Sequence, residues 1–290
     1  MPKEFFLSFK FLPFALALWA VAIAVYFLNH KQWKFSHYGF SVKKYFLLVS
    51  VLLIYPLWWT FHNNSPKLLV LFFIFAVCGM LAEALMSNCW KIFYKQPFYV
   101  YAVDTLDHKF TSLLNIIPWG VAGFMFISLV YYLAPVFTAT QPQSAIINSG
   151  PVSVALPFYL VFITSILISL SLNAIIWCAL LHFKHHSYQF KKVTLINYLF
   201  VSLPFWAPIA ICAIIYGPVM LKLALAFGVL IALAEYIFGK ICQFFVSKKL
   251  WAYNYAAHDD GHFTPLAILP FAFLGFYFWA IGLIFQTYYK

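Results

Sequence analysis

Eight runs of about 20 apolar residues, at 11–29, 45–63, 68–88, 112–137, 153–181, 193–216, 219–239 and 265–287, constrain this chain more than any other feature. Each run is long enough to cross a hydrocarbon core of about 30 Å, and in lipid a backbone must satisfy its own hydrogen bonds, so each is expected to be a helix. Composition agrees: 65% of the residues are hydrophobic and only 9% charged, against about 25% charged in soluble domains. The expected fold class is an all-α polytopic membrane protein. The first run is too long for a cleaved signal peptide and has no small-residue cleavage site after it, so it reads as a retained helix.

The five cysteines, Cys78, Cys89, Cys178, Cys212 and Cys242, form no CxxC pair and lie in or beside spans, which points to buried free thiols. The net charge of +11 comes from eighteen lysines with no arginine. Those lysines sit in short loops at head-group level. Bidentate phosphate recognition would call for arginine, so nucleic acid is set aside.

Self-comparison reveals an internal repeat. A shift of 152 residues pairs Leu81-Ala82-Glu83 with Leu233-Ala234-Glu235, Tyr101 with Tyr253, Asp107 with Asp259, Pro118 with Pro270 and Gly123 with Gly275. A shift of 148 pairs His37 with His185, Lys43-Lys44 with Lys191-Lys192, Pro56 with Pro204 and Trp58 with Trp206. The matches fall on residue types that are scarce here, which chance self-similarity of apolar sequence does not explain. Two four-helix copies are therefore expected at 1–138 and 153–290, joined by a linker at 139–152. An even number of spans per copy gives parallel copies related by an axis along the membrane normal. Both termini then share one side, and the loops 30–44, 89–111, 182–192 and 240–264 share the other. That loop face carries thirteen of the eighteen lysines, which makes it cytoplasmic by the positive-inside rule, as in a bacterial inner membrane.

All four aspartates and eight of nine histidines also fall on the loop face. Two strings stand out: His182-Phe183-Lys184-His185-His186 and His258-Asp259-Asp260-Gly261-His262. On a helix, positions i and i+3 or i+4 share a face, so each string could offer two imidazoles to one zinc or iron ion. The strings resemble the histidine boxes of membrane fatty-acid desaturases and hydroxylases, a resemblance that implies iron at the cytoplasmic surface. It covers the ten residues of the two strings, reverses the family's usual order and lacks the third box. On this reading His182, His185, His186, His258 and His262 are candidate metal ligands.

Glu83 and Glu235 stand near the loop-face end of the third helix of each copy. A carboxylate in a span is costly and usually faces the bundle interior or a polar cavity. With Asp107 and Asp259 they form the candidate acid–base set. The segments 91–110 and 240–263 mix aromatic residues with lysines, which reads as rings at head-group depth or as a lid over a cavity. Pro118 and Pro270 should start or kink the fourth helices, and the Trp119-Gly120 and Phe271-Ala272 that follow are expected to pack the copies together. Three functions remain open: an enzyme acting on a lipid or isoprenoid-like small molecule among membrane lipids, a transporter or channel with a carboxylate pair between the copies, and an assembly subunit without chemistry.

Overall fold

The computed structural model describes residues 41–62, 64–103, 105–106, 111–137, 157–183, 189–246 and 248–288, so the expected first span and the linker lie outside it. Among the described residues six helical stretches are long and apolar enough to cross a membrane: Val42–His62, Lys67–Phe93, Leu113–Val130, Phe158–Phe183, Val219–Phe245 and Pro265–Thr287. A bent pair, Leu195–Val201 and Leu203–Tyr216, with 76° between its halves, makes a seventh if the two halves are one span. These correspond to the remaining seven apolar runs. The chain is a helical, multi-pass membrane protein.

Contacts gather the chain into two compact units. The first comprises Met1–Leu85, Tyr99–Ser128 and Leu233–Thr264; the second comprises Met86–Phe98, Leu129–Ala232 and Pro265–Lys290.

In the first unit, helix α1 (Val42–Ser50) begins at Ser41, whose hydroxyl accepts the Lys44 N–H at 3.2 Å. A single 3-10 turn, Val51–Leu53, leads into α2 (Ile54–His62). Pro56 has no N–H to offer the Leu52 carbonyl, so the tighter turn just before it takes up the lost α-helical bond. Helix α3 (Lys67–Phe93) packs on α4 (Ile116–Phe137) along a stripe of Phe72, Phe75, Gly79 and Glu83, spaced by three and four residues. A Cβ at Gly79 would collide with Trp119, one at Gly120 with Phe72, and one at Gly123 with Phe75. Bare glycine faces thus let the aromatic rings of one helix lie against the backbone of the other. Trp119 and Gly120 therefore pack against α3. Pro118 is the third residue of α4, where an N–H would be unsatisfied anyway, so it starts the helix rather than kinking it.

Four short strands complete this unit: β1 (Tyr99–Tyr101), β2 (Thr105–Leu106), β3 (Thr111–Ser112) and β4 (Trp251–Tyr253). Strand β1 pairs antiparallel with β4 in the register Tyr99 to Tyr253, Val100 to Ala252 and Tyr101 to Trp251; β2 pairs with β3.

In the second unit α5 (Phe158–Phe183) packs against α7 (Leu203–Tyr216) and α9 (Ile268–Tyr288). Phe158 stacks on Trp279 with ring centroids 4.3 Å apart, and Phe162 and Phe276 extend the layer. Here too a glycine faces a ring, because a Cβ at Gly275 would collide with Phe227 of α8 (Val219–Val246).

The bend between α6 (Leu195–Val201) and α7 has a local cause. Pro204 cannot donate to the Phe200 carbonyl, and a break in a span leaves polar groups that lipid cannot satisfy. Two side chains supply the missing donors. Asn173 Nδ2 donates to the Phe200 carbonyl at 2.7 Å, and Trp206 Nε1 donates to the Leu199 carbonyl at 2.8 Å. Replacing Asn173 with Leu, which keeps the volume, should cost about 1–3 kcal/mol by stranding that carbonyl. A thermal midpoint in detergent equal to the parent's would show that the bend does not depend on Asn173.

Candidate functional site

The third helices proved longer than their apolar runs. Glu83 lies ten residues before the end of α3 and Glu235 eleven before the end of α8, about 15 Å inside each helix at 1.5 Å per residue. Neither is a helix-end glutamate within easy reach of water. Glu83 is only 6% exposed, and Glu235 is half-buried.

A carboxylate at that depth needs donors, and Glu83 has four. The Tyr101 and Thr111 hydroxyls, the Asn115 amide and the Trp119 indole all donate to it, the last three at 2.9, 2.9 and 3.3 Å. The Tyr99 hydroxyl donates to the Glu83 backbone carbonyl at 2.7 Å. The local sequence explains how these donors arrive. Tyr99 and Tyr101 are two apart on β1 and so share one face of the strand. Thr111 lies on β3, and Asn115, the last residue of the 3-10 turn that leads into α4, is four before Trp119. An ionised carboxylate accepts about four hydrogen bonds, so Glu83 is saturated.

Glu235 has one donor among the described residues. The Tyr253 hydroxyl lies 2.8 Å from one of its oxygens and 2.6 Å from the other. The two tyrosines belong to the same ladder, and the Tyr99 and Tyr253 rings meet edge to face at 5.9 Å. Burial first, and then the Glu83 carboxylate, hold the Tyr101 phenol well above the ordinary tyrosine range. Burial and then Glu235 do the same for Tyr253, with Tyr101 and Glu83 adding to the effect. Both phenols are therefore donors at any physiological pH. The residues flanking these tyrosines are not a head-group belt: Tyr99, Tyr101, Trp251 and Tyr253 are all buried. Neither tyrosine was among the expected site residues, although the 152-residue shift that pairs the glutamates pairs them as well.

The histidine strings fare differently. His185 and His186 lie outside the described residues, as does Asp107, and His182 is exposed at the end of α5. The helical spacing argument for His258 and His262 fails because 258–262 is a turn. Asp259, Asp260 and Gly261 have φ of 50°, 58° and 90°, the left-handed region that glycine enters freely and aspartate tolerates. His258 is exposed, whereas His262 is buried with its Nε2 2.7 Å from Gln243 Oε1. Among the described residues no three His, Cys, Asp or Glu side chains gather as a metal ion would require. Asp259 is a surface ion-pair partner: Lys240 Nζ is 2.6 Å away and the Tyr236 hydroxyl donates at 2.8 Å. The Lys240 contact, then that of Tyr236, holds its carboxyl below the usual range. The chain matches no protein-family model, no curated protein and no solved structure.

Two outcomes follow from this geometry. Glu83→Ala strands four donors and should cost about 3 kcal/mol or more, seen as loss of monodisperse protein, whereas Glu235→Ala strands one phenol and should still fold. Equal yields and thermal midpoints for the two variants would contradict the difference in bracing. For His262, burial and then Lys240 and Lys249 lower the imidazole's affinity for a proton. A folded-state value below the unfolded one gives stability that is present above about pH 6.5 and is lost as the pH falls. The thermal midpoint should drop between pH 7.5 and 5.5, and His262→Gln should flatten that slope; an unchanged slope would remove His262 as its source.

Proposed function

We propose that this chain is an integral membrane protein built from two parallel four-helix copies, with one acid–base site that acts on an amphipathic, lipid-like molecule. Glu235 is the working carboxylate, Tyr253 positions it, and Glu83 is its braced counterpart. The observation that carries this reading is the single donor at Glu235, set against the four at Glu83. The sequence accounts for the difference. At the 152-residue shift Tyr101 becomes Tyr253, but Thr111, Asn115 and Trp119 become Phe263, Ala267 and Phe271. The second carboxylate is kept while its bracing is not, which leaves it free to engage another molecule. Glu235 is half-buried within a span, so a molecule that reaches it from the membrane would be lipid-like.

The duplication draws support from contacts that recur. Helices α3 and α8 start at Lys67 and Val219, and α4 and α9 at Ile116 and Ile268, each pair 152 apart. The 3-10 turns Leu113–Asn115 and Pro265–Ala267 keep the same offset. The Tyr45 hydroxyl donates to the Leu114 carbonyl as that of Tyr198 does to Leu266, and Ser41 and Thr194 cap equivalent helices. These last pairs, 153 apart for Tyr45 and Ser41, favour a nearly uniform register over the 148-residue shift and match Pro56 with Pro208. At the centre of the β1–β4 ladder Val100 faces Ala252, its own repeat equivalent, so a two-fold axis through that pair would exchange the strands.

The same ladder favours a second reading, a carrier in which repeat-equivalent carboxylates line a proton or cation path. The lysine-rich loop face is cytoplasmic in both readings. Reporters fused after Asn148 and after Lys290 should behave alike and one near Lys248 oppositely; like signals at Asn148 and Lys248 would sink the parallel repeat. For the site itself, lipid extracted from the purified protein should contain an amphiphile that is depleted when Glu235→Gln or Tyr253→Phe is purified from the same cells. Identical extracts from folded parent and variants would end the proposal.

A further inference from the structure

We infer that the molecule engaged at Glu235 carries a primary ammonium group on an apolar tail, and that Glu235 exchanges a proton for it. This rests on the reading of Glu235 as the working carboxylate and adds the chemistry of its ligand. Among the described residues the donors at Glu83 number four and at Glu235 one, which leaves three acceptor directions unfilled at the second carboxylate. An ammonium group presents three N–H donors, a hydroxyl one and a phosphate ester none in its ionised form.

Charge makes the same selection. No Lys or His forms an ion pair with Glu235 among the described residues; Lys240, five residues on, is engaged with Asp259. A carboxylate in a span with one neutral donor is poorly compensated and takes its positive charge from outside the protein, as a proton or as a cation. The two compete for the same oxygens. Binding is then a balanced exchange in which the carboxylic acid and the alkylammonium give an ammonium carboxylate pair and one proton released to water. Glu235 is half-buried within a span, so the tail of a molecule bound there lies among apolar surroundings. The Tyr253 hydroxyl fixes the carboxylate from one side, and its ring is held edge to face by Tyr99.

The test uses the full chain in a non-ionic detergent and three probes of equal tail length: decylammonium, decyltrimethylammonium and decanol. Calorimetry at pH 7 in two buffers of different ionisation enthalpy should show saturable decylammonium binding with release of about one proton per molecule, a measurement that needs no variant. Decyltrimethylammonium keeps the charge but has no N–H and should bind about tenfold more weakly or worse, and Glu235→Gln should weaken decylammonium by a similar factor. Decanol should show no saturable binding that depends on Glu235. If decanol binds as tightly as decylammonium and that binding is lost in Glu235→Gln, or if no proton is released, the ammonium exchange is overturned while Glu235 remains the site. If no probe binds in a Glu235-dependent way and co-purifying lipid is also the same in parent and variant, the exchange and the reading it rests on fall together.

Discussion

A carboxylate held about 15 Å inside a membrane helix must be given hydrogen-bond donors, and around Glu83 that requirement organises a large part of the first unit. Helices alone cannot meet it, because their backbone donors are already used. The donors come instead from the segment between α3 and α4, which turns inward so that β1 brings Tyr101, β3 brings Thr111 and the first turns of α4 bring Asn115 and Trp119. Trp119 reaches Glu83 only because Gly79 leaves room for its ring against α3. A strand pair of three residues each would be marginal in water. Here it persists because its rings are buried and its phenols are anchored on the carboxylates and on the Glu83 backbone.

The second carboxylate inherits the ladder without the bracing. Tyr253 holds Glu235 as Tyr101 holds Glu83, yet the three positions that would complete the shell are a phenylalanine, an alanine and a phenylalanine. Loss of the donors alone would leave a costly group in the span, and loss of the carboxylate as well would have removed that cost. On the proposed reading that combination marks a binding group.

Hydropathy made the spans legible, since seven of the eight apolar runs have a helical counterpart among the described residues and the eighth lies outside them. The 76° bend was written in Pro204 but hidden by an apolar run that continues across it. The two glutamates were legible because they are rare in such a sequence and recur at one offset. Their partners were not. Tyr101 and Tyr253 sit among lysines and other rings, and interfacial aromatic residues look the same in one dimension whether they lie at the head groups or fold inward. The HxxxH spacing misled for a different reason: it implies a shared face only on a helix, and the left-handed run at Asp259, Asp260 and Gly261 places His258 and His262 in different environments.

Within the cluster the ionisable groups divide by type. Burial and the neighbouring carboxylates keep the phenols of Tyr99, Tyr101 and Tyr253 protonated, so these residues fix direction and do not take up or release protons. The carboxyl groups in this cluster, among the described residues, are those of Glu83 and Glu235. Four donors converge on Glu83, so its oxygens are already occupied by the protein. Among the described residues Glu235 has a single donor, shared between its two oxygens. On the proposed reading Glu235 is the group left to engage another molecule, and Tyr253 is the side chain that holds it.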